Sequence, residues 1–537
     1  MLKELHQNEI TLLSDMNKEN PSLYKNTFFL LFVVATFISN TGTWLFTVGS
    51  GWLMTELDSS AFMVSLVQTA TLIPLFLLAL PTGALGDLYN QKKIIIISQS
   101  LLVINTLIFA YIVYLDKATV FLLLFFTLLN GIGAAFSRPV LAALTPQLVP
   151  KSQLRTAVNL TGIAYNLSRA LGPILGGALI TMYALDLPFW IDALSFGAVV
   201  LVISFWKRDS KNEELPGQKL THSMGDSIRF LRYTPALHHS IIRALLFFFP
   251  AAALWAFMPL IAKEQFSGGA DLYGYLLGAS GIGAVTSVSF SNSITRILGA
   301  SRLTMVVSIL LGLCLLFLGF TTSKYYAISI CFVAGVCWQL SFTSIMTSAQ
   351  YALPKWYGAR GIAYFLMAMS GSMGIGSALW GLFADQTSLQ YGLYGAGIAS
   401  VVIALVALRF PLDLAKDLNF KRASGLSEKP FSEMKDEGGW VMVHISYTVS
   451  PKIRWEAMEK ISALKNKRYR EGARHWRLFS PEIEENQLIE IFYKTSLSQL
   501  IRHQKQVTVH DKESEEKLNK WITENGGEVK REYFQEM

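Results

Sequence analysis

The stretch PTGALGDLYNQKK, residues 81–93, is a short polar island between two long apolar segments. Upstream, 62–82 is almost uninterruptedly apolar, and downstream 94–114 is nearly so. Segments of about 20 apolar residues are long enough to cross a bilayer, so the island is predicted to be a hairpin where two spans meet water. Its charges are then placed rather than scattered. Gly83 lets two helices approach closely, Asp87 closes the first span, and Lys92 and Lys93 mark the side of the membrane on which the turn emerges.

Composition supports the same assignment along the whole chain. Of 537 residues 52% are hydrophobic and only 16% charged, and the mean hydropathy of +0.38 is too high for a soluble enzyme of this length. A polytopic membrane protein in contact with the lipid bilayer is expected. The opening residues MLKELHQNEITLLSDMNKENPSLYK are polar and charged without a cleavable apolar core, so the first span is expected to act as its own insertion signal. The formal charge of +8 is spread over short loops rather than gathered with aromatics, which points away from nucleic acid. Cys314, Cys331 and Cys337 lie in apolar segments without metal-ligand spacing and read as packing residues; neither metal nor cofactor is expected.

Counting apolar runs gives spans near 27–50, 62–83, 93–114, 119–140, 159–182 and 187–206, a polar break over 207–236, and six more near 238–262, 272–292, 302–320, 325–349, 362–384 and 388–409. Twelve spans divided six and six is the arithmetic of a duplicated transporter, with halves at 27–206 and 237–410. With the tail 1–26 inside, the inner loops collect most of the lysine and arginine, while the outer loops hold only Lys117, Lys263 and Lys324. That bias places both termini in the cytoplasm.

After Phe410 the composition changes. Residues 411–437 form a charged linker, and 438–537 reads as a soluble cytoplasmic domain: a strand over 441–449, a helix over 453–468, strands over 474–479 and 488–493, helices over 496–503 and 512–522, and a last strand over 529–534. This βαββαβ order is that of a ferredoxin-like α+β sandwich. The expected fold class is therefore an all-α polytopic membrane protein of twelve transmembrane helices in two six-helix halves, with an α+β tail.

The run Gly83-Ala84-Leu85-Gly86-Asp87 followed by Lys92 resembles the loop between spans two and three of the major facilitator superfamily, Gly-x-Leu-x-Asp-Arg-x-Gly-Arg-Lys. The resemblance implies a cytoplasmic gating loop in which Asp87 is the lock carboxylate and Lys92 its basic companion; a tight turn whose carboxylate caps the next helix is the alternative. Leu88, Asn90 and Gln91 stand where that motif has arginine, glycine and arginine, so the charge network is thinner. The corresponding stretch of the second half, 292–299, keeps Gly299 but has Arg296 in place of the aspartate.

Span five carries NLSRALGPILGGAL, with Arg169, Gly172, Pro173, Gly176 and Gly177. Glycines four apart clear one helix face for close packing, and proline loosens the backbone ladder so that the helix can bend. The run resembles the Gly-Pro-x-x-Gly-Gly signature of exporting members of the superfamily, which implies a hinge or seal between halves; plain helix packing is compatible with it. An arginine within a span needs a partner or a cavity, unless it snorkels to the surface.

Span four has Thr127 where proton-coupled relatives hold an arginine, so Asp192 in span six is the candidate proton carrier, with an interfacial, permanently ionised aspartate as its alternative. Asn40, Thr43, Trp44, Gln68, Asn166, Trp338 and Gln339 are candidate cavity-lining residues, although side chains such as Gln68, Asn166, Trp338 and Gln339 are more often helix-to-helix hydrogen bonds than ligands. Trp52 reads as an interface anchor.

The runs SNTGTW, GWLMTEL, RPVLAALTPQLVPKSQLRTAVNL and GARHWRLFSPEIEENQLIEIFY, together with the loop motif, resemble the transmembrane secretion effector branch, related to the bacterial enterobactin exporter. The resemblance implies a bacterial inner-membrane transporter, not an enzyme, that exports small amphipathic organic molecules of drug or siderophore type, with the proton as coupling ion. An importer of the same fold is the alternative. The tail resembles antibiotic-biosynthesis-monooxygenase modules, which implies a regulatory or dimerising role, or else a sensor or small cofactor-independent oxygenase anchored by the membrane part. His444, His475, Trp476, His503 and His510 show no metal spacing.

Overall fold

The computed structural model describes residues 23, 26–206, 231–353, 358–412, 439–481, 486–505 and 507–536, with the backbone alone described over 83–88, at 358–361 and at a few further positions. Most of the expected N-terminal tail, central loop and linker therefore lies outside the described residues, as do the side chains of Asp87, Arg360, His503 and His510.

The first helices are α1 (Thr27–Leu57), α2 (Ala61–Leu88), α3 (Gln91–Tyr114), α4 (Val120–Leu148), α5 (Leu154–Met182) and α6 (Leu187–Ser204). A second set follows: α7 (Pro235–Leu260), extended by a π-turn over Ile261–Gln265, then α8 (Ala270–Phe320), α9 (Lys324–Tyr351), α10 (Gly358–Gln386) and α11 (Leu389–Val406). Short polar side chains start them. Asn26 accepts a hydrogen bond from Phe29 N, Thr119 from Leu122 N and Ser388 from Tyr391 N, satisfying amides that a helix leaves open at its first turn. Among the described residues ten helices are long and apolar enough to cross a membrane; α5, the most polar of the long ones, is not among them.

Two expectations about loops are corrected. The hairpin over 81–93 is mostly helix: α2 runs to Leu88 and α3 begins at Gln91, so only Tyr89 and Asn90 turn the chain. Asn90, a departure from the superfamily motif, caps α3 by accepting from Lys93 N at 3.4 Å. Likewise no loop separates 272–292 from 302–320. α8 comprises two helices joined at Gly299, whose φ of 74° and ψ of 157° turn the chain in one residue that lacks the Cβ to object.

Contacts divide the chain into two compact units. The first, residues 1–215, 244–343 and 366–408, holds α1–α6 and most of the second helix set. Its α5–α8 seam is glycine-built. A Cβ on Gly177 would lie 2.4 Å from Ala270 O, on Gly274 2.6 Å from Pro173 O, and on Gly281 2.5 Å from Arg169 O. Gly172 and Gly176 serve a different neighbour, α1, facing Trp44 and Val48.

The second unit, residues 216–243, 344–365 and 409–537, contains a four-stranded antiparallel sheet in the order β2-β3-β1-β4. Its strands are β1 (Val441–Thr448), β2 (Arg474–Phe479), β3 (Gln487–Lys494) and β4 (Glu528–Gln535). The connecting helices are α12 (Arg454–Ala463), α13 (Lys465–Arg470), α14 (Leu497–Lys505) and α15 (Val509–Glu524); the single helix expected over 453–468 breaks at Leu464. Val441, Val443, Ile445 and Tyr447 point alternately inward from β1 onto Ala457 and Ile461 of α12 and Leu518 and Ile522 of α15, which is what period-two patterning dictates.

Candidate functional site

The sharpest polar feature of the first unit is Arg169, halfway along α5 and only 7% exposed. Its Nη1 donates to Gln339 Oε1 of α9 at 3.1 Å, and its guanidinium carbon stands 5.7 Å from the ring centroid of Trp255 on α7. Gln339 Nε2 in turn donates to Thr343 Oγ1, which aims the amide oxygen at the arginine. Around Trp255 gather Trp44 of α1, at 6.4 Å between centroids, and Trp338 of α9, at 5.4 Å; Phe248 packs on Trp338 at 4.8 Å. Neither Arg169 Nε nor Trp255 Nε1, both buried, has a hydrogen-bond partner among the described residues. A cation and several indole faces thus converge where α1, α5, α7 and α9 meet.

Of the expected lining residues, the structure brings Gln339 to this arginine and Trp44 and Trp338 to the Trp255 ring beside it. Thr43 and Asn166 instead spend their polar groups on their own helices, at Ser39 O and Gly162 O. Asn40 is half-buried on α1, and Gln68 has a buried Oε1 with no described partner. Trp255 was not singled out from the sequence, because it sits in FFFPAAALWAFMPL, where every neighbour is apolar and no period distinguishes it.

The two helix sets are tied together from this site toward the end where α1 finishes. Thr69 Oγ1 donates to Gly374 O at 2.8 Å, Ser60 Oγ to Asp385 Oδ1 at 2.7 Å, and Asp271 N to Thr181 Oγ1 at 3.1 Å. At the rim Lys263 Nζ donates to Thr55 O at 2.5 Å and Glu56 Oε1 at 3.1 Å, 5.8 Å from the centroid of the Trp52 ring. Trp52, expected as an interface anchor, is only 8% exposed, with Lys263 over its ring.

Asp192 of α6 is wholly buried, and neither carboxylate oxygen has a hydrogen-bond partner among the described residues. Its α1 neighbour is Gly42, where a Cβ would lie 2.8 Å from Oδ1. At the opposite end of the helices Lys92 Nζ donates to Ser204 O at 2.8 Å and Trp206 O at 2.6 Å, closing the end of α6. Of the gating-loop positions Gly83 and Asp87, the backbone helix is described.

The second unit holds two further clusters. Under the sheet, the buried Glu490 accepts from Tyr447 at 2.7 Å, Arg468 Nε at 2.9 Å and Trp476 Nε1 at 2.8 Å. Arg468 also reaches Glu515, which is bound by Lys467 and Arg531 too. Burial pushes the Glu515 carboxyl up, but Arg468, Lys467 and Arg531 together hold it well below its ordinary value, and Arg468 does the same more weakly for Glu490. The second cluster surrounds a cavity of about 460 Å³ lined by Trp440, Met442, His475, Tyr493, Phe534, Gln535 and Glu536. His475 there takes a left-handed φ of 52°.

A bundle of long apolar helices with a buried cation joining its two helix sets defines a membrane transport protein. Comparison with known proteins specifies which kind. The family described as transmembrane secretion effector matches residues 21–534, and the chain belongs to that family of major facilitator transporters. It is 22% identical over 377 residues to the staphyloferrin A transporter of Staphylococcus aureus, covering 70% of this chain and 94% of that one. It is 24% identical to macrolide efflux protein A of Streptococcus pyogenes, over 66% of this chain and 88% of that one. It is likewise 24% identical to the multidrug efflux pump Tap of Mycobacterium bovis, over 74% and 98%. Among solved structures, the nucleoside transporter NupG superposes with a TM-score of 0.60 at 13% identity, covering 72% of this chain and 99% of that one. An inward-facing bacterial homologue of the lysosomal transporter Spinster does so with 0.55 at 14%, covering 74% and 98%; at these identities the likeness concerns the fold alone.

Proposed function

We propose that this protein is a secondary active exporter of small amphipathic organic molecules, working by alternating access of a mid-membrane site between two six-helix halves. The observation that carries the proposal is the bond from Arg169 on α5 to Gln339 on α9, a polar link between the two helix sets deep in apolar helices and flanked by three tryptophans. Export rather than import is supported by relatives named for macrolide efflux and multidrug efflux, and by the Gly-Pro-x-x-Gly-Gly run of α5. Twelve spans result when α5 crosses together with the ten apolar helices and α8 crosses twice, turning at Gly299. The lysine and arginine distribution supports cytoplasmic termini. Proton antiport is the proposed drive, with Asp192 as carrier and the loop of Gly83, Asp87 and Lys92 as cytoplasmic gate.

The C-terminal unit is proposed to be a ferredoxin-like accessory domain, supported by its βαββαβ sequence and its β2-β3-β1-β4 sheet, with dimerisation as one role. A ligand-sensing role is favoured by the aromatic cavity beside His475. Transport in inverted vesicles with an imposed pH gradient tests the main proposal. Gradient-driven accumulation of a panel compound by the native protein supports it, and no accumulation across amphipathic panels counts against export.

A further inference from the structure

Arg169 lies roughly 20 Å from either end of α5 at about 1.5 Å per residue, too deep for its head group to reach water along its own stem. What it touches does not neutralise it. Gln339 is a neutral amide, the Trp255 face attracts a cation without carrying net charge, and among the described residues no carboxylate pairs with it. A buried, uncompensated charge costs several kcal/mol, and a protein keeps one where a partner arrives from outside.

We infer that Arg169 binds the carboxylate of an organic anion whose apolar body rests against Trp44, Trp255 and Trp338; this rests on the export proposal and specifies the charge of the cargo. Gln339 holds Nη1, while the guanidinium edge that carries the buried Nε has no hydrogen-bond partner at that atom among the described residues. That edge offers two parallel N–H groups, the fork that a carboxylate accepts in a bidentate manner. The indoles supply flat apolar surface for a ring or chain attached to the carboxylate. A permanent cation of the same shape meets like charge at the same place and is rejected.

The test uses two xanthene dyes of similar shape and opposite charge, fluorescein, which carries a carboxylate, and rhodamine 6G, a cation. Binding is read by fluorescence polarisation against the full-length protein in lipid nanodiscs, with empty nanodiscs subtracted. The native protein is expected to bind fluorescein in preference. Arg169→Gln is expected to weaken that binding by about tenfold or more, the scale of a lost charge-assisted bond. Arg169→Lys keeps the charge without the fork and is expected to fall between them, and it preserves the test if the glutamine variant does not fold. Equal fluorescein affinity in native and Arg169→Gln proteins overturns the inference, as does preference for rhodamine 6G or binding of neither dye. The failures are distinguishable: export of rhodamine 6G from vesicles while fluorescein does not bind overturns the anion and leaves export standing, whereas no export of any compound in a wide panel overturns both.

Discussion

Lys263 of the π-turn after α7 donates to the backbone carbonyl of Thr55 and to the carboxylate of Glu56, so one ammonium joins the end of the first helix of one set to the first helix of the other. The Glu56 side chain is 48% exposed and that of Lys263 31%, so the ion pair alone is screened and contributes less than about 1 kcal/mol. The carbonyl and the Trp52 ring do not depend on that carboxylate. Glu56→Gln is therefore expected to change transport and melting temperature little, while Lys263→Met, which removes all three contacts, costs about 1–3 kcal/mol. Melting of the purified variants, with accessibility of an engineered cysteine at the exposed position 59 as the opening readout, checks the order. Equal effects of the two substitutions would mean that the ion pair carries the contact.

The α5–α8 seam makes a second expectation. Ala270 O, Pro173 O and Arg169 O stand 2.4–2.6 Å from where Cβ atoms of Gly177, Gly274 and Gly281 would be, and a backbone carbonyl cannot swing aside like a side chain. Gly177→Ala and Gly281→Ala should each destabilise by about 1–3 kcal/mol through overpacking. Gly162 and Gly197 have nothing within 4 Å, and alanine there should be neutral or stabilising by up to about 1 kcal/mol, the relief of glycine's helix penalty. Thermal melting of the four variants distinguishes a packed seam from glycine's general helix penalty, which would affect all four alike.

How much of this was legible in the sequence depends on the kind of signal each feature leaves. Ten of the long helices follow from length and hydropathy alone, and the sheet from period-two alternation, because both are backbone requirements written over many residues; α5 is too polar for that criterion. Glu490 was legible in principle: QLIEIFYK places it on the same strand face as Leu488 and Phe492, hence inward. What the strand cannot show is that Arg468, Tyr447 and Trp476 converge on it, since their meeting depends on how α13 and β2 pack. Lys263 counted only as an outer-loop charge, because nothing in IAKEQ announces a π-turn that folds it back onto α1. Arg169 stood out because charge is rare in a span, but its partner Gln339 lies 170 residues away, beyond any spacing rule.

Glu515 makes an acid-sensitive element of the second unit. Its folded carboxyl lies well below the ordinary glutamate value of 4.5, so the stabilisation is fully present above that value and is lost as pH falls through the lowered one. Amide protection of β3 and α15 in the full-length protein, taken relative to the intrinsic exchange rate at each pH, should stay high at neutral pH and fall below 4.5. Glu515→Gln should cost about 3 kcal/mol at neutral pH, since it leaves Arg468 and Lys467 short of a partner, and should flatten the acid loss. An acid profile identical in the variant would assign the loss to another carboxylate.

Asp192 gives the expectation that bears most directly on energy coupling. Its carboxylate is fully buried without a described hydrogen-bond partner, an arrangement costly for a permanently charged group and tolerable for one that picks up and releases a proton. Asp192→Asn keeps the shape, removes the proton site and should leave folding intact or improved. If Asp192 is the carrier, accumulation driven by an imposed pH gradient falls at least about tenfold in the variant, while exchange of labelled for unlabelled cargo, which needs no net proton movement, continues. Both activities falling together would make Asp192 a structural residue of the α1–α6 contact beside Gly42, and unchanged gradient-driven accumulation would place the coupling elsewhere.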